Sequence, residues 1–303
     1  MPLDNLTAAL LSEAAYTSLD DYRNNTAPSL PTGWLADTSA NMSANTGTEQ
    51  FIVFVNSTTQ QIVIAFKGTD NLADFKSDLA DGGALIWERL KAAAAAALTK
   101  IQDPAGPYAG YEVVTDGHSL GGGMAQTFAL EAGLSGYGQN SLPISATSLT
   151  LDSINYTTQL ASWSSGGNTF AEVNTAGDPA TAYYAGGIYL DSAPATIANP
   201  YLAEEIASLG VVTFDPALTA YYAYKSHSID TVISSLQGES DSTASLTTNQ
   251  AQALITAATQ YSSIEQVELA LASEGVHIAT LEETLAGIEP AAGSQPGTSG
   301  NAF

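Results

Sequence analysis

Segments with a period of two and segments with a period near 3.6 follow one another along most of this chain. Residues 51–69, FIVFVNSTTQQIVIAFKGT, hold two runs rich in β-branched and aromatic side chains, joined by a polar turn from Asn56 to Gln60. That pattern predicts two strands. Leu72, Phe75 and Leu79 then fall at i, i+3 and i+7, one face of a helix, and a longer Ala-rich helix is expected from Ala84 to Ile101. Asp103, Pro104, Gly106 and Pro107 break it. Residues 111–115 read as the next strand, and Met124 to Ala132 as a helix behind a glycine cluster. Residues 145–154 and 169–176 read as two more strands. Strands alternating with helices predict an α/β fold with a mainly parallel central sheet flanked by helices.

After Gly238 the composition shifts to Ser, Thr, Ala, Gln and Glu. Ser262 with Glu265 and Thr280 with Glu283 have the spacing of capping boxes, and Gly275 suits a helix C-terminus. The expected organisation is a catalytic α/β domain over residues 1–238, a small helical annex over 239–287 and a flexible tail over 288–303.

Charge removes whole classes of partner. Seven Lys and Arg stand against 31 Asp and Glu, a formal net charge of −24. Nucleic-acid binding needs clustered cations, and so does attachment to anionic lipid, so neither is expected. A neutral lipid interface stays compatible. The chain has no Cys, which excludes disulfides, thiol nucleophiles and Cys-based zinc sites together. No stretch approaches the roughly 20 apolar residues that cross a bilayer. The first residues lack a basic region and do not read as a signal peptide. Low Lys without Cys suits a secreted protein exported by another route, with a cytoplasmic enzyme as the alternative. No EF-hand loop or phosphate-binding GxxxxGK is present, and no metal or cofactor is expected.

The chemistry concentrates at residues 111–125, YEVVTDGHSLGGGMA, where Gly117-His118-Ser119-Leu120-Gly121 fits G-x-S-x-G between a strand and a helix. A nucleophilic Ser on a sharp strand-to-helix turn needs strained backbone angles, and flanking glycines remove the collisions. A glycine turn that merely lets strand and helix pack is the plainer alternative. A serine nucleophile needs a base, and the chain has three histidines. His118 adjoins the serine and should point elsewhere, and His277 falls in the helical annex. His227, in YKSHSID at 224–230, remains by elimination. The orienting carboxylate should lie between Ser and His in the chain. Asp178, in NTAGDP after the strand ending near Thr175, is favoured, and Asp152 is the rival. For the oxyanion, the N–H of Leu120 and that of Thr69, in IAFKGTD at 64–70, are the candidate donors.

FKGTD, VVTDGHSLGGGMA, NTAGDP and KSHSID, in that order, resemble the class 3 lipases of the α/β-hydrolase fold, over about Leu6 to Leu236. The resemblance implies Ser119 as nucleophile, Asp178 as acid, His227 as base, and Thr69 and Leu120 at the oxyanion positions. Asp116 departs from that family, which usually has a small residue before the elbow glycine. The stretch read as the strand after the nucleophile helix, LTLDSIN, lacks the family's aromatic-Gly-x-Pro run. The segment from Thr69 to Ser119 is also shorter than in fungal members, so a full lid is not expected. The function expected is a serine carboxylic-ester hydrolase acting on lipid-like or small esters through an acyl-enzyme. A phospholipase A1 or short-chain esterase on the same triad is the alternative, and a catalytically inactive binding module is the alternative of a different class.

Overall fold

The computed structural model describes residues 3–39, 41–47, 49–69, 83–184, 186–210, 216–238, 246–261 and 264–273. Helices α1 (Asn5–Ala14) and α2 (Leu19–Asn24) lead into strands β1 (Leu35–Asp37), β2 (Ala44–Asn45), β3 (Gln50–Asn56) and β4 (Gln61–Phe66). Helix α3 (Ala84–Ile101), strand β5 (Glu112–Gly117), helix α4 (Leu120–Ala132) and strand β6 (Ser135–Gln139) follow. Next come α5 (Ala146–Leu151), α6 (Tyr156–Ser165), β7 (Phe170–Thr175), α7 (Pro179–Tyr183) and β8 (Ala195–Ile197). Helices α8 (Leu202–Gly210), α9 (Pro216–His227), α10 (Ile229–Leu236), α11 (Thr248–Ala258) and α12 (Ile264–Ser273) complete the described chain.

The described strands form one sheet in the order β1-β3-β4-β5-β6-β7-β8, with β2 also on β3. Pairing is antiparallel around β3 and parallel from β4 to β8. The mainly parallel sheet flanked by helices is therefore as expected. Its central strands read as continuous apolar runs because both faces are covered. Phe51, Val53, Ile62, Ile64 and Phe66 point to one side, against Trp87 and Leu90 of α3 and Met124 and Phe128 of α4. Ile52, Phe54, Val63 and Ala65 alternate to the other side, against Ala8 and Leu11 of α1. Successive strand side chains face opposite ways, so one hydrophobic run serves two cores.

One expectation fails here. Residues 145–154 were expected as a strand and instead contain α5, while the strand after α4 is β6, at Ser135–Gln139. Ser145 caps α5 by accepting the N–H of Ser148 at 3.3 Å, the local hydrogen bond that makes such a Ser/Thr run start a helix. In β6, SGYGQ, the glycines hide the strand. A Cβ at Gly138 would lie 2.1 Å from Oε2 of Glu172 on the neighbouring β7, so close packing outweighs strand propensity. The true strand carries Tyr137-Gly138-Gln139, and Asn140 follows where the aromatic-Gly-x-Pro run would have Pro.

The expected helix over Leu72, Phe75 and Leu79 lies outside the described residues, as do the Ser262 and Thr280 caps, Gly275, His277 and the tail. Helix α11 begins with a capping box that the sequence reading passed over, Thr247 with Gln250. Its Leu254, together with Val267 and Leu271 of α12, is buried in the main core cluster with Ala217 and Ala220 of α9. No described helix is long and apolar enough to cross a membrane.

Candidate active site

Parallel pairing brings the C-terminal ends of β4, β5, β6 and β7 to one edge of the sheet, where ligands bind in open α/β folds. Phe66 pairs with Gly117, and His118 bridges to Gln139. The segments leaving these ends carry Gly68-Thr69, His118-Ser119, Asn140 and Asp178.

Ser119 sits between β5 and α4 with φ 57° and ψ −126°, a conformation that non-glycine residues rarely adopt. Such strain costs about 1–3 kcal/mol and persists only where the surroundings enforce it. They do so here. Its N–H donates to Gln139 O at 3.0 Å, and its carbonyl accepts from Gly122 N at 3.0 Å and Leu142 N at 2.9 Å. The turn fits under β4 only without side chains, since a Cβ at Gly121 would lie 2.1 Å from Phe66 O.

His227 ends α9, and its imidazole reaches both expected neighbours. Nε2 lies 2.7 Å from Ser119 Oγ and Nδ1 lies 2.7 Å from Asp178 Oδ1, with all three residues buried. Asp178 caps α7: its Oδ1 accepts Ala180 N at 3.3 Å, and its Oδ2 accepts Thr181 N at 2.8 Å as well as the Thr181 hydroxyl. The carboxylate is thus aimed by backbone donors, and its oxyanion-like charge is matched by the helix N-terminus. Asp152, the rival, ends α5 and binds Trp87 Nε1 at 3.1 Å and Lys91 Nζ, with no bond to His227.

Leu120 opens α4, where first-turn amides have no helical acceptor. Thr69 is buried at the end of the segment leaving β4, and the preceding Gly68 lies against the elbow: a Cβ there would be 3.4 Å from Ser119 Cβ. Leu120 thus directly follows the serine in the chain, and Thr69 directly follows the glycine that packs on it.

His118 points away from the serine, as expected. It is buried between Tyr16 Oη, 2.8 Å from its Nδ1, and the carbonyl of His227, 2.7 Å from its Nε2. Burial first, and the neighbouring His227 second, push its pKa down to about 3, so the ring is neutral. Beneath the elbow, burial pushes Asp116 up to about 8; its Oδ1 accepts Gly117 N at 2.9 Å and Gln139 Nε2 at 3.0 Å. The sequence reading missed Tyr16, Asn140 and Thr175, which surround the end of α9. The one signal for Asn140 was a polar residue closing a glycine-rich segment, where left-handed backbone favours Asn.

Residues 7–155 match the family described as Phospholipase-like, Tle-like phospholipase domain. That match spans just under half of the chain, and over those residues the sequence is similar to a lipase-like family. Its class is that of a lipase-like ester hydrolase. No curated protein matches the sequence. Among solved structures, lipase II from Rhizopus niveus is similar at 14% identity and a TM-score of 0.43, over 57% of this chain and 71% of that one. A Rhizomucor miehei lipase propeptide complex is similar at 16% identity and 0.45, over 64% and 66%. Mono- and diacylglycerol lipase from Aspergillus oryzae is similar at 16% identity and 0.41, over 59% and 74%. Among the described residues of this lipase-like chain, no group of His, Asp and Glu is arranged to hold a metal ion.

Proposed function

We propose that this protein hydrolyses lipid carboxylic esters through an acyl-enzyme on Ser119. The observation that carries the reading is the His227 imidazole, held at 2.7 Å from both Ser119 Oγ and Asp178 Oδ1. Asp178 accepts a hydrogen bond from the Nδ1–H of the neutral imidazole, which leaves Nε2 with its lone pair toward the serine hydroxyl. Ser119 Oγ attacks the ester carbon as His227 Nε2 takes its proton. The carbonyl oxygen becomes an oxyanion facing the Leu120 and Thr69 amides. The imidazolium then protonates the departing alcohol, and an acyl group remains on Ser119. Water attacks that acyl ester with His227 again as base, releasing the fatty acid and restoring the hydroxyl.

The match of residues 7–155 to a phospholipase-like domain favours a glycerophospholipid as the substrate. A net charge of −24 further favours zwitterionic or neutral lipid surfaces over anionic ones. The experiment is a rate comparison across nitrophenyl esters of increasing chain length, phosphatidylcholine vesicles and a triglyceride emulsion. Fatty acid release from the vesicles at the highest rate supports the phospholipase reading. Faster release from triglyceride would move the substrate to neutral glycerides, and turnover of short nitrophenyl esters alone would make the protein a short-chain esterase.

A further inference from the structure

The carbonyls at the end of a helix have no helical partner, and α9 ends at the proposed base itself. Where those carbonyls go therefore decides where His227 sits. The carbonyl of His227 receives His118 Nε2 at 2.7 Å and Asn140 Nδ2 at 3.1 Å. The preceding carbonyl, of Ser226, receives Thr175 Oγ1 at 2.7 Å, with Asn140 Nδ2 at 3.4 Å. Asn140 is anchored in turn, its Oδ1 accepting Thr175 N at 2.8 Å. Asn140 and His118 are fully buried, and Asn140 holds a left-handed backbone at φ 44°. His118 is oriented from its far side by the Tyr16 hydroxyl, 2.8 Å from Nδ1. Because Nε2 faces a carbonyl, it must carry the proton; Nδ1 is then an acceptor and Tyr16 the donor.

We propose that His118 and Asn140 are positioning residues for the reaction: by holding the His227 carbonyl together they fix the imidazole between Ser119 and Asp178. This rests on the triad reading above. His118 follows β5 directly and is adjacent to the nucleophile, while Asn140 follows β6. The base is thereby tied to the same two strand ends that hold the serine, although it belongs to a helix 108 residues further along the chain. The neutral ring of His118 suits the task, since a charged imidazole beside a protonated His227 would oppose the charge that catalysis builds there.

The test measures ester hydrolysis by the wild type, His118→Phe, His118→Gln and Asn140→Gly. Active sites are counted by exhaustive titration with a fluorophosphonate, so that only folded, competent protein enters the rate. His118→Phe fills the space without donating, His118→Gln retains an N–H, and Asn140→Gly tolerates the left-handed backbone without the amide. The proposal expects kcat per site to fall about 10²-fold in His118→Phe and Asn140→Gly, the loss that a misplaced catalytic group produces. KM should stay within about twofold, and His118→Gln should regain about tenfold over His118→Phe. The far-downfield proton signal of the bond between His227 and Asp178 should broaden or vanish in the two slow variants and persist in the wild type. A merely structural role would lower yield and melting temperature but leave kcat per titrated site and that signal unchanged, and that result overturns the proposal. Wild-type protein that takes no fluorophosphonate on Ser119 overturns the triad reading, and this proposal with it.

Discussion

Nδ1 of His227 lies 2.7 Å from Oδ1 of Asp178, and that same carboxylate caps helix α7 through the N–H groups of Ala180 and Thr181. Replacing it by an amide keeps the shape and most of the cap but presents a donor where the imidazole needs an acceptor. Asp178→Asn should therefore fold normally and lose about 10⁴ in kcat, as the wrong imidazole tautomer produces. Asp152→Asn should keep its turnover and lose about 1–2 kcal/mol of stability, because it weakens the tie to Trp87 and Lys91. Steady-state rates beside denaturant melts distinguish the two. The reverse ranking would transfer the orienting role to Asp152.

Ser119 carries its strain for a purpose that a stability measurement can expose. Ser119→Ala should fold and lose about 10⁴-fold or more of its rate. Ser119→Gly should be equally inactive yet more stable than Ser119→Ala by about 1 kcal/mol, since glycine adopts φ 57° freely. Urea melts of the two variants check this. Equal stabilities would mean that the turn is not strained.

Gly121 approaches the backbone of β4 so closely that no methyl group fits. Its hypothetical Cβ lies 2.1 Å from Phe66 O and 2.9 Å from Gly68 N, both backbone atoms that cannot swing aside. Gly121→Ala should cost about 3 kcal/mol or more, or abolish soluble expression. A melting temperature near that of the wild type would contradict the close packing of elbow and sheet.

These elements show where sequence patterns suffice. The β3–β4 hairpin was legible because each strand alternates its apolar residues into two cores, and α3 because its pattern runs for five turns. The serine turn was legible because glycines are required on both sides of it. The triad candidates could be ordered because only three histidines compete. β6 was not legible: its glycines answer to Glu172 and Phe170 across the sheet, and no local rule encodes a neighbour's side chain. The same holds for Asn140 and Tyr16, which act on groups 87 and 102 residues away along the chain.

The buried carboxyl of Asp116 gives a pH dependence of known sign. Its folded pKa, raised by burial to about 8, exceeds the ordinary value of 3.8, so the native state keeps a proton that the unfolded chain releases. Its contribution is complete below pH 4 and is lost as pH rises toward 8, by about 1.4 kcal/mol per unit at most. Glu172, raised by burial to about 8, acts in the same direction. His118, lowered to about 3 mainly by burial, opposes them below pH 6.5, where the unfolded chain binds a proton that the native ring refuses. Asp116→Asn should flatten the fall in stability between pH 6.5 and 8 without changing the sign of the His118 effect. Denaturant melts of both proteins at closely spaced pH values check this, and identical slopes would contradict a neutral Asp116.

The central claim is that Ser119 becomes the nucleophile because His227 and Asp178 activate it. The most direct measurement is mass spectrometry of the intact and digested protein after treatment with a fluorophosphonate, alongside Ser119→Ala and His227→Ala. The account predicts one adduct per chain, located on the peptide that contains Ser119. It should be absent from Ser119→Ala and form at least about 10³-fold more slowly in His227→Ala. An unmodified wild type, an adduct on another residue, or His227→Ala labelled at the wild-type rate would contradict it.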